Sequence, residues 1–167
     1  MKTWWVLLAA AASVAVQTTL NRYFPGGIVD LVLVVVVFTA LTSGRVTGLW
    51  AGTAAGLLQD AMSGGVIGMA GLSKTVVGFL AGIIGTQFIV TQTFSRFVVF
   101  ILATLVDAVL FMGLYELLGL RQFNAPVTTM ALRALLNAVV GVLLFRLVES
   151  FPGAMERYRA SRTGLRR

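Results

Sequence analysis

The stretch "LVLVVVVFTAL", Leu31–Leu41, is apolar at every position except Thr39. Its valines would favour a strand in water, where β-branched side chains suit a pleated surface. A strand of a membrane barrel, however, alternates apolar and polar residues with period two, and this run does not alternate. Lipid offers backbone N–H and C=O groups no partners, so an unbroken apolar run must satisfy them internally, as a helix. The whole chain fits that setting. Of its 167 residues 58% are hydrophobic and only 11% charged, where a soluble domain carries roughly a quarter. Mean hydropathy is +0.93. The expectation is an all-α integral membrane protein.

Turn residues divide the chain into six candidate spans in one bundle: Trp4–Leu20, Ile28–Thr42, Val46–Gln59, Val66–Val90, Phe97–Leu120 and Val127–Val148. The second and third are short against the roughly 20 residues a bilayer requires. They are expected either to tilt into the loops or to form a helical hairpin shielded by neighbours. The opening "MKTWWVLLAAAASVAVQ" has signal-peptide features, but its apolar run continues past the small residues, so it reads as a retained first span. Residues 1–150 are thus a multi-pass bundle and 151–167 a short basic tail.

Orientation follows the basic residues. With the N-terminus inside, Lys2, Arg45, Arg96 and the tail residues Arg157, Arg159, Arg162, Arg166 and Arg167 face the cytoplasm, leaving Arg22 and Arg121 in outer loops. Both termini are therefore expected inside, with the tail resting on anionic lipid headgroups. The net charge of +7 and pI near 11.1 read as this asymmetry rather than as a nucleic-acid surface.

The chain has no Cys and no His, which excludes disulfides, thiolate chemistry, His-based catalysis and nearly every zinc site. No Walker-type phosphate loop is present, and Asp60 and Asp107 fall at different predicted depths, unlike an aspartyl-protease pair. No catalytic, cofactor or metal residues are expected.

Two sets of residues stand out. The first is a ladder at intervals of four, Gly48, Gly52, Gly56, Asp60 and Gly64, with Gly64–Gly68 and Gly78–Gly82 repeating the spacing. Small residues so spaced let another helix approach closely. Packing within the bundle is the preferred reading and a partner interface the alternative. Asp60, at the end of its span, is expected to accept backbone N–H bonds where the next span begins, with a polar contact for a partner or substrate at the outer face as the alternative. The second set is the charges within spans: Lys74, Asp107, Glu116 and Arg133. Buried charges in lipid are costly unless paired. At about 1.5 Å per residue the depths of Lys74 and Asp107 match, as do those of Glu116 and Arg133 across their short turn. The expected pairs are Lys74–Asp107 and Glu116–Arg133, with clamps on helix register the preferred reading and a proton relay or substrate site the alternative.

Val29–Gly82 also resembles the MreD family of rod shape-determining proteins. The resemblance rests on Asp30 opening span two, Gly44–Arg45, "GLLQD" at Gly56–Asp60, then "SGG", Gly68 and "LSKTVVGFLAG" at Leu72–Gly82. The family pattern often has proline before the aspartate, where this chain has Val29. The resemblance implies a non-catalytic component of the bacterial inner membrane. Such a protein binds an MreC-like single-span partner and links MreB filaments to peptidoglycan synthesis by RodA and a class B penicillin-binding transpeptidase. It also implies a bundle similar to the substrate-binding subunits of energy-coupling factor transporters. The rival function is a small-molecule binding or transport subunit with Lys74, Asp107 and Arg133 lining a pocket. A proton-coupled or lipid-handling carrier would show inverted repeats, and none is found.

Overall fold

The computed structural model describes residues 3–23, 27–87, 92–120 and 126–150, which form six α-helices. They are α1 (Thr3–Tyr23), α2 (Leu31–Ser43), α3 (Arg45–Ser63), α4 (Met69–Gln87), α5 (Thr93–Leu117) and α6 (Val127–Ser150). Short connections make successive helices antiparallel. One end of the bundle therefore holds Gly44, the start of α5 and the finish of α6. The other end holds residues 27–30, the 64–68 turn and the finish of α5.

Helix limits follow local chemistry. Asp30 caps α2, its carboxylate accepting from the Leu33 N–H at 2.9 Å. A single residue, Gly44, separates α2 from α3, with φ +87° and ψ 178°. Only glycine adopts that conformation without strain. The fourth helix starts at Met69, later than Val66, because Gly64 (φ +66°) and Gly68 (φ +105°) hold the preceding residues in a turn. At the finish of α5, Gly119 takes φ +65°. Its N–H donates to the Glu116 carbonyl and that of Leu120 to Tyr115. This Schellman pattern ends the helix at Leu117, three residues before the expected Leu120.

The run Leu31–Leu41 is the hub. α2 has 13 residues, about 20 Å of helix, and packs against all five other helices. One face puts Leu33, Val37 and Leu41 against Val77 and Ala81 of α4, Phe100 of α5 and Phe145 of α6. The opposite face puts Val32 and Val36 against Ala10 and Val14 of α1 and Ala55 of α3. A helix apolar all round belongs where neighbours cover it. Its short length against a hydrocarbon core of about 30 Å is thus met by shielding, one of the two alternatives the sequence left open.

Three helices, α4, α5 and α6, are long and apolar enough to cross a membrane. In the most apolar 18 residues of both α5 and α6 only 28% are buried, and Leu102, Val109, Leu135 and Leu143 point outward. That is an inverted surface for water and an ordinary one for hydrocarbon.

Candidate functional site

The glycine ladder is consumed inside the chain. A Cβ at Gly48 would collide with the Gly78 carbonyl, and one at Gly78 with the Gly48 carbonyl. A Cβ at Gly52 would strike the Lys74 carbonyl, and one at Gly56 would lie 2.5 Å from that of Ala70. Gly82 sits on the Arg45 backbone. α3 and α4 therefore touch backbone to backbone, and Thr53 and Thr75 join hydroxyls across the seam at 2.8 Å. Gly64 and Gly68 depart from the expected stripe. A Cβ at either meets nothing within 4 Å, because α3 has already ended and both serve the turn through positive φ. Gly85, against the Leu41 backbone, extends the α4 stripe onto α2.

Asp60 closes the ladder as an acceptor. Its carboxylate takes the N–H groups of Gly68 at 2.9 Å, Ala70 at 3.2 Å and Gly71 at 3.1 Å. These are among the donors that the first turn of α4 cannot satisfy itself, and the negative charge lies at the positive pole of that helix. The side chain is buried, so its ligands are the turn and the helix, not solvent.

Lys74 is the largest fully buried side chain. Its Nζ lies 2.9 Å from Asp30 Oδ2 and 3.5 Å from Asp107 Oδ2. The Ser73 hydroxyl donates to the other Asp107 oxygen. Three helices are thereby pinned together: α2 at its cap, α4 one and a half turns in, and α5 near its middle. Polar neighbours complete the shell. Asn137 of α6 accepts from the Asp30 N–H at 2.8 Å and donates to Thr104 at 3.3 Å. Gln17 of α1 accepts from the Leu31 N–H at 2.9 Å and donates to the Val29 carbonyl at 3.0 Å. Apart from Ser73, these side chains border one cavity of about 370 Å³ at the 27–30 end of the bundle.

Arg133 lines the same cavity. Among the described residues no ion pair joins it to Glu116, which corrects the second expected clamp. Their depths match, but Arg133 donates to the Gly27 carbonyl at 3.3 Å while Glu116 is exposed on α5. Depth from helix rise fixes height and leaves azimuth open. At the opposite end, Arg96 is buried, meets Glu149 at 2.6 Å and lies 4.3 Å over the Phe145 ring. Residues Lys2, Arg121 and the basic tail from Arg157 to Arg167 lie outside the described residues.

Comparison with known proteins gave one decisive match. The model of the rod shape-determining protein MreD matches residues 2–152. The chain belongs to the MreD family. No curated protein and no solved structure matches it. The likeness to energy-coupling factor subunits therefore rests on the sequence resemblance alone.

Membership in the MreD family, with three long apolar helices, makes this a membrane protein of rod-shape determination. The family is a structural, shape-determining one. Among the described residues no three His, Cys, Asp or Glu side chains gather as a metal site. Charge as a signal does not reach Gln17, Ser73 and Asn137, and Glu149 lies at the finish of its span, where a carboxylate reads as solvated. Those three are uncharged polar residues set in apolar runs, and that setting is the available signal. Asp30 stands out in the sequence by opening span two, but its bond to Lys74 has no sequence signal.

Proposed function

We propose that this MreD-family chain is a non-catalytic, six-span scaffold of the bacterial inner membrane with both termini in the cytoplasm. It docks the transmembrane helix of an MreC-like single-span protein and so connects MreB filaments with RodA and a class B penicillin-binding transpeptidase. One observation carries the reading. The close-packing glycines are spent between α3 and α4, while the outer faces of α5 and α6 are apolar and uncovered. A partner helix is therefore assigned to those outer faces, not to the ladder. The connections between successive helices are short in sequence, which supports a partner met within the membrane. Arg45, Arg96 and Arg146 share one end, and that end is assigned to the cytoplasm. The basic tail meets anionic lipid there.

The test uses the cysteine-free sequence as its background. Photo-crosslinkers placed at Leu102, Val109, Leu135 and Leu143 should capture a co-expressed single-span partner. The same probes at Leu57 and Leu72, on the α3–α4 outer edge, should not. A purified chain that carries no partner, or crosslinks confined to α3 and α4, overturns the proposal. Labelling of Thr129→Cys from the periplasm and of Ser150→Cys only after permeabilisation checks the orientation.

A further inference from the structure

The Lys74 cluster is not balanced by its own members. Two carboxylates share one ammonium, leaving an excess negative charge within an apolar bundle, which is costly unless something cancels it. The members are unequally covered. The Lys74 side chain is 2% exposed, Asp30 26% and Asp107 13%. All three border the 370 Å³ cavity, and the two carboxylates are more open than the Lys74 side chain. Each carboxylate oxygen has a second lone pair beyond the bond it already accepts.

Gln59 borders the same cavity, and its buried Oε1 has no hydrogen-bond partner among the described residues. An unmet buried acceptor and two under-neutralised carboxylates in the lining of one cavity call for a donor that carries positive charge. A primary ammonium offers three N–H donors, one each for Asp30, Asp107 and Gln59. Arg133 lines the cavity as an exposed guanidinium, and among the described residues it makes one bond, to the Gly27 carbonyl. Its remaining donors suit a carboxylate or phosphate. Phe111, Met112 and Met130 supply apolar wall between the two poles.

We infer that this cavity binds a small zwitterion, its primary ammonium seated on Asp30, Asp107 and Gln59 and its carboxylate or phosphate held by Arg133. Two sources share that chemistry: a free amino acid-like compound, and an aminophospholipid headgroup. The inference goes beyond the scaffold reading and stands whether or not a partner helix docks on α5 and α6.

The test titrates the full chain, purified in detergent, by calorimetry with phosphoethanolamine, 4-aminobutyrate, ethylamine, phosphocholine and sodium chloride. One or both zwitterions should saturate a single site. Ethylamine should bind about tenfold more weakly for want of the Arg133 contact. Phosphocholine, which has no ammonium N–H, should not bind. Arg133→Gln should reduce the zwitterion to the level of ethylamine and leave ethylamine itself unchanged. Gln59→Leu should weaken both by about tenfold. Neither side chain takes part in the Lys74 ion pairs or the α3–α4 backbone seam, so both variants should fold. Native mass spectrometry from mixed phosphatidylethanolamine and phosphatidylcholine nanodiscs separates the sources. Selective retention of the former assigns the headgroup, and saturation by 4-aminobutyrate without lipid retention assigns the free compound. Absence of saturable binding, equal binding of phosphocholine, competition by sodium alone, or indifference to Arg133→Gln each overturns the inference.

Discussion

Gly52→Ala adds one methyl group where α3 and α4 come closest. Built on the native backbone, the new Cβ would lie 2.6 Å from the Lys74 carbonyl carbon and 2.9 Å from the Thr75 nitrogen, and closer still to the Lys74 oxygen. All three are backbone atoms of a packed helix, so no rotamer change relieves the clash. Restoring ordinary contact near 3.4 Å needs a separation of roughly 1 Å, and strain of this kind costs about 1–3 kcal/mol. The separation also loosens the Gly48–Gly78 contact and the Thr53–Thr75 hydroxyl pair, and it shifts the residue that carries the buried ammonium. The upper part of that range, about 2–3 kcal/mol, is therefore expected. Unfolding in a mixed-micelle denaturant that leaves helices formed is the suitable assay, because the helix-propensity gain of alanine over glycine then cancels. Gly113→Ala is the control. It lies in a helix with nothing within 4 Å of a Cβ, and should change stability by less than about 0.5 kcal/mol. Wild-type stability in Gly52→Ala would refute the close-packing account.

Other outcomes follow from the same geometry. Asp60→Ala should cost about 2–4 kcal/mol by leaving three N–H groups without their acceptor, with hydrogen exchange accelerated at Gly68, Ala70 and Gly71 in particular. Lys74→Met should cost about 3–5 kcal/mol by stranding two carboxylates, and adding Asp107→Asn should recover part of that loss in the same unfolding assay. Glu149→Gln should cost about 1–2 kcal/mol, and Arg96→Lys should also destabilise because an ammonium does not stack flat over Phe145. A double-mutant cycle on Glu116 and Arg133 should give a coupling below about 0.5 kcal/mol, since the two side chains form no ion pair.

The helices were legible in the sequence because apolar continuity and turn residues are local signals. Their limits at Met69 and Leu117 depended on glycines at positive φ, which spacing alone does not distinguish from packing glycines. Hence Gly52 and Gly64 looked alike on paper, yet one faces a carbonyl and the other open space. The cap by Asp60 was readable because donor and acceptor lie only 8 to 11 positions apart. The contacts of Lys74 were half readable. Helix rise set it level with Asp107, whereas its shorter contact to Asp30 depends on α2 being drawn into the centre, a tertiary fact. The same blindness to rotation about the helix axis produced the mistaken Glu116–Arg133 pair.

The one-residue junction at Gly44 bears on how the protein is made. Thirteen residues are too few to settle alone across a bilayer core, and the junction leaves no slack for α2 to move independently of α3. The two segments must leave the insertion machinery as one piece. The polar groups at the head of α2 then wait for later-synthesised partners: Lys74 from α4 and Asn137 from α6. Until the ribosome has delivered the last of these, the innermost helix of the finished protein is its least secured part.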